Sequence, residues 1–207
     1  MPSIDSITRS FSIVDHTLRQ MFSDSYWKRC MYAALGMREL LRVQGVSAEM
    51  VFGDMACFTV SPDWHTTSWQ GFRNTESANA AHFWLETSSY LLDLGPHYLP
   101  AESSHPIAPI PPVRLPFHEG EPRYLRYRAR GRGEVDLDGD PGLAGRATAF
   151  IAQCLTTHRS VAARDLPAFT WQLSGTSSLL TAARKGDTWA RGATQIVNGH
   201  VPPPAPI

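Results

Sequence analysis

Val14, Leu18, Met21 and Phe22 recur at the i, i+4, i+7, i+8 spacing of one helical face, which predicts an amphipathic helix over residues 8–22. Ser23-Asp-Ser25 supplies cap residues. An apolar run from residue 26 to 43 predicts a second helix, stopped at Gln44-Gly45 where glycine suits a helix end. The pattern then shortens. Residues 48–52 and 55–60 read as two strands around a Gly53-Asp54 turn. Residues 61–80 hold Pro62, Gly71 and Asn74 and read as a long polar loop. Residues 81–87 and 90–95 are apolar, strand-like runs close enough to form a hairpin.

Residues 96–122 carry Pro96, Pro100, Pro106, Pro109, Pro111, Pro112, Pro116 and Pro122. That density predicts neither regular helix nor central strand, but an extended segment wrapping the surface. Further on, residues 124–130 read as a strand and 142–158 as a third long helix. Asp140-Pro141 opens that helix with a cap and a proline at a first helical position. Residues 166–173 read as a strand, 177–184 as a short helix and 201–207 as a disordered tail. No internal repeat is visible. The pattern implies an α+β fold in one domain over residues 1–200, with N-terminal helices packed on an antiparallel sheet.

Composition narrows the function classes. The chain has 207 residues, enough to bury a core without staples. Lys+Arg and Asp+Glu both number 19, so the net charge is zero. That argues against nucleic acid or an anionic membrane as main partner. No secretory leader opens the sequence, and no apolar run nears the roughly 20 residues a membrane span needs. The three cysteines, Cys30, Cys57 and Cys154, cannot all pair within the chain, so free thiols and a cytoplasmic location are expected.

Candidate chemistry centres on Cys30, His82 and Asp93, in that order. Thiolate, imidazole and carboxylate are the parts of an activated cysteine nucleophile. Cys30 falls in the first turns of its predicted helix, where unpaired N–H groups favour a thiolate and can hold an oxyanion. His82 and Asp93 lie on the two strands of the predicted hairpin, so the turn decides whether they share a face. A two-residue turn at Thr87-Ser88 puts them directly opposite. One at Ser88-Ser89 puts them diagonally on one face. A three-residue turn at 87–89 sends them to opposite faces. In the even cases Trp84 and Leu91 share the site face, and Trp84 is a candidate substrate-binding residue. Phe83, Leu85, Leu92 and Leu94 fill the other face. Cys57 and Cys154 sit in apolar runs and read as core.

Rival features carry less. His82, Asp93 and His97, with Cys30 or His65, match no compact zinc spacing, so no metal is expected. Asp136-Leu-Asp-Gly-Asp140 starts like a calcium loop, but Pro141 and Ala147 replace the required glycine and glutamate. Arg126, Arg128 and Arg130 would line one face of a strand, with Tyr127 and Ala129 opposite. Such a row either grips an acidic ligand or forms a solvated edge. Trp64, Trp69 and Phe72 either roof a cleft or pin their loop to the core.

A helix-borne Cys30, then Gly45-Val-Ser-Ala-Glu-Met-Val-Phe-Gly53, then His82-Phe-Trp84, then Leu92-Asp93 resembles the transglutaminase-like branch of the papain-type folds. Arylamine N-acetyltransferases and bacterial transglutaminase-like proteins share this order. The resemblance spans residues 23–96. It implies Cys30 as nucleophile, His82 as base and Asp93 as orienting acid, with no cofactor. No upstream Gln or Asn is well placed as a second oxyanion donor, Gln20 being the one candidate. Gly95-Pro96 only loosely matches the usual proline after the acid. The expected activity is acyl transfer or amide hydrolysis through a Cys30 thioester, on a small-molecule or peptide amide or thioester. The sequence leaves hydrolase and transferase both open. The other reading is an inactive binding protein on the same fold, using loop 61–72 or the Arg123–Arg132 strand.

Overall fold

A computed structural model of the chain describes residues 4–73, 81–137, 139–160 and 165–199. Helix α1 spans Ile4–Met21 and α2 spans Cys30–Val43. Strands β1 (Ala48–Val60), β2 (Thr67–Phe72), β3 (His82–Thr87) and β4 (Tyr90–Asp93) follow. Then come α3 (Gly95–Glu102), β5 (Val113–Pro116), β6 (Leu125–Arg132), α4 (Pro141–Arg159), α5 (Thr176–Arg184) and α6 (Thr188–Val197). The architecture is α+β, as the pattern predicted. The tail at 201–207 and residues 74–80 of the predicted loop lie outside the described residues.

The six strands form one antiparallel sheet ordered β2-β1-β3-β4-β5, with β6 also paired to β1. Residues 51–53 of β1 pair with both β3 and β6, and residues 55–57 pair with both β2 and β6. Strands β2 and β3 therefore line successive halves of one edge of β1, and β6 lines the other. One face of the sheet packs Ile7, Phe11, Leu40, Leu85, Leu92 and Phe150 with the long helices α1, α2 and α4. The opposite face packs Met55, Phe58, Trp84, Leu91, Trp189 and Ile196. The hairpin is covered on both sides, which is why it reads as apolar throughout.

Several expectations are corrected. The two strands read around Gly53-Asp54 are one 13-residue strand, β1. Gly53 is not a turn residue but a point of close approach: a methyl group there would overlap the Arg128 carbonyl oxygen of β6. Asp54 is buried and bonded to Arg130 at 2.8 Å. The polar stretch 61–80 contains strand β2. Its alternation is masked because β2 is half-exposed, yet the ladder to β1 and the Trp69 ring against Phe58 hold it.

Residues 95–102 form α3 despite their prolines. Pro96 sits in the first turn, where the N–H has no helical partner anyway, and buried Tyr98 and Leu99 offset the bond lost at Pro100. Residues 103–112 have no regular structure and bury Ile107, Ala108 and Ile110, and residues 113–116 then form the edge strand β5. Residues 166–173 are not a strand; only Leu173 bridges, to Val113. Helix α6 was not anticipated because small residues, Ala190, Gly192 and Ala193, make up much of its buried face. Asp187 caps it by accepting from Ala190 N at 2.8 Å. No described helix is long and apolar enough to cross a membrane.

Candidate active site

The predicted second helix is interrupted just before the thiol. Residues 26–28 form a 3-10 turn, and Arg29 leaves helical geometry at φ −117° and ψ 36°. Cys30 is thus the first residue of α2. No side chain caps this helix start and no acidic residue lies in its first turn. The first N–H groups of α2 are therefore not engaged by a side-chain cap. Cys30 is partly exposed, whereas Cys57 and Cys154 are fully buried. Burial pushes both of those thiols up, as expected for inert core residues.

The hairpin turn is Ser88-Ser89. Leu85 pairs with Leu92 and Glu86 with Leu91, so His82 and Asp93 stand diagonally on one face with Trp84 and Leu91. Their side chains meet: His82 Nε2 lies 2.8 Å from Asp93 Oδ2. Both are buried, at 0% and 3% exposure. Deep burial alone would lower the imidazole pKa, but the Asp93 charge and hydrogen bond, with a further contribution from Cys30, outweigh it and raise it. The other ring nitrogen, Nδ1, is buried and has no hydrogen-bond partner among the described residues. Cys30 contributes to the raised imidazole pKa, although its thiol makes no hydrogen bond to Nδ1. Of the three sequence-predicted residues, His82 and Asp93 are thus brought together on β3 and β4, while Cys30 begins α2 and is tied to them through its influence on the imidazole.

Three partners were not foreseen. Gly95 N–H donates to Asp93 Oδ1 at 2.7 Å, and the Tyr127 hydroxyl donates to Asp93 Oδ2 at 2.8 Å. The Phe72 ring stacks on His82 with centroids 4.8 Å apart and planes 14° apart. A signal existed for two of them. Under a Ser88-Ser89 turn the position facing His82 is 95, and strand parity put Tyr127 on the side away from the arginine row. Phe72 belongs to the aromatic set expected either to roof a cleft or to pin its loop, but nothing in the sequence sets it against His82. Trp84 lies 1% exposed behind the site, its ring 6.0 Å from His82 and 5.2 Å from Tyr127, with Nε1–H donating to Glu86.

Other candidates are placed elsewhere. Gln20 is exposed near the end of α1. His97 is turned to the Ile110 carbonyl, with Nδ1 2.8 Å from it, and its ring packs on Phe169. Among the described residues no three His, Cys, Asp or Glu side chains group as metal ligands do. Arg126, Arg130 and Arg132 of β6 each pair with a carboxylate, from Glu121, Asp54, and Glu49 with Glu86. Trp64, Trp69 and Phe72 pack against the core as a satellite cluster. Compared with family models, curated proteins and solved structures, the chain matches none.

Proposed function

We propose that the chain is a cysteine-dependent acyl transferase or amide hydrolase working through a thioester on Cys30. The observation that carries this reading is the buried His82 ring, tied at Nε2 to the Asp93 carboxylate, without a hydrogen-bond partner at Nδ1 among the described residues, and with a pKa that Cys30 helps to raise. The order of the three residues and the resemblance to transglutaminase-like proteins support the same reading.

In the first step His82 Nδ1 takes the thiol proton and the sulfur attacks the acyl carbonyl. The N–H groups at the start of α2, which no N-cap side chain engages, steady the developing oxyanion. The intermediate collapses to the Cys30 thioester, and the imidazolium returns its proton to the leaving amine or thiol. In the second step water, an amine or a thiol gives its proton to His82, attacks the thioester and frees Cys30. Asp93 keeps the ring oriented and supports its charge throughout. No step calls for a cofactor.

The test is the rate of Cys30 alkylation by iodoacetamide against pH, read by peptide mass spectrometry, in the wild type and in His82→Ala. Incubation with a panel of thioesters and activated amides accompanies it, with a search for an acyl adduct on Cys30. Reaction persisting well below the ordinary thiol pKa of roughly 8.5, lost in His82→Ala, together with an adduct, supports the reading. A Cys30 that reacts as a free thiol and ignores His82 overturns it.

A further inference from the structure

Asp93 has two oxygens and three donors. Among the described residues Oδ1 accepts only from Gly95 N–H, whereas Oδ2 accepts from both His82 Nε2–H and the Tyr127 hydroxyl, each at 2.8 Å. Tyr127 reaches this oxygen from β6, with β1 and β3 lying between it and the strand of Asp93, and its ring rests against Trp84. Burial first, then the Asp93 charge and hydrogen bond, hold the Tyr127 phenol well above its usual pKa, so it remains a donor. The same acceptor atom thus serves two hydrogen bonds, and what one donor draws from it the other does not receive.

We propose that Tyr127 is a positioning residue for His82, acting through the shared oxygen of Asp93. Its O–H draws charge from Oδ2 and moderates the hold of the carboxylate on the imidazole. Asp93 keeps its place without Tyr127, because Gly95 N–H and the strand register fix Oδ1. What Tyr127 adds is a limit on the strength of the His82–Asp93 bond. The meaning of that limit for catalysis rests on the thioester reading above: an imidazolium held too tightly is a poor donor to a leaving group. A phenol that merely satisfied a buried carboxylate would leave the His82 bond as it found it.

The readout is the His82 Nε2–H proton resonance at neutral pH, assigned by its disappearance in His82→Gln. In Tyr127→Phe it is expected to move downfield, as the remaining bond strengthens. Replacing all six tyrosines by 3-fluorotyrosine makes the phenol a stronger donor and is expected to move the resonance upfield. The fluorinated protein retains every side-chain shape closely, so it decides the matter if Tyr127→Phe does not fold. A resonance that stays put, or moves the opposite way, overturns the proposal. Cys30 alkylation in the same samples separates this result from the thioester reading. An unreactive Cys30 with a responsive His82 ends the catalysis and leaves the coupling standing. A reactive Cys30 with an indifferent His82 does the reverse.

Discussion

The backbone of Gly95 lies against the edge of the His82 imidazole, so close that a methyl group on Gly95 would overlap Cε1 and approach Nε2. The contact sits at the start of α3, and the same residue donates its N–H to Asp93. One glycine therefore touches both members of the buried pair, and any side chain there competes with the ring for space.

Gly95→Ala is expected to displace the His82 ring and lower stability by about 1–3 kcal/mol, the usual cost of overpacking a filled site. Thermal unfolding reads the loss of stability. The loss of acid-range Cys30 alkylation reads the displaced ring. An alanine variant as stable and reactive as the wild type would show that the ring has room to yield.

Asp93 serves three donors in a buried place, so its removal is expected to be severe. Asp93→Ala should cost about 3–5 kcal/mol, because it strands the His82 ring and the Tyr127 hydroxyl together. Asp93→Asn keeps an acceptor for Gly95 but removes the charge. It should fold, with His82 titrating lower than in the wild type. Urea denaturation of both variants, with imidazole titration of the second, checks the pair.

The raised His82 pKa has a consequence for stability with a definite sign. A group that binds its proton more tightly in the folded state stabilises the fold most below its unfolded value, about 6.5 for histidine. That contribution fades as pH rises from there through the folded value. The stability gap between wild type and His82→Gln should therefore be widest near pH 6 and shrink steadily under alkaline conditions. Denaturation midpoints of both proteins across that range measure it. A gap that widens with pH would mean the ring is held neutral.

Gly53 tests the single long strand. Its missing side chain lets the β6 backbone pass beside β1. Gly53→Ala should push the two strands apart and destabilise the protein by about 1–3 kcal/mol. Amide exchange should quicken in β6 and at the His82 end of β3, which pairs with the same residue. If position 53 were a turn, exchange in β6 would be unmoved.

The sequence by itself determined the features that repeat over a few residues. The apolar stripe of α1 and the body of the Cys30 helix follow from local spacing, and the Asp140-Pro141 start of α4 from capping. Parity likewise limited His82 and Asp93 to a small set of arrangements, because alternate side chains of a strand point to opposite faces. The tertiary structure chose among them, with the Ser88-Ser89 turn. It alone decided that Gly53-Asp54 runs straight, since pairing on both edges overrides a local turn preference. It also turned 67–72 into a strand, and it brought Tyr127 to Asp93 across 34 positions of sequence. Strand order and close packing depend on contacts between distant residues, and no periodicity along the chain records them.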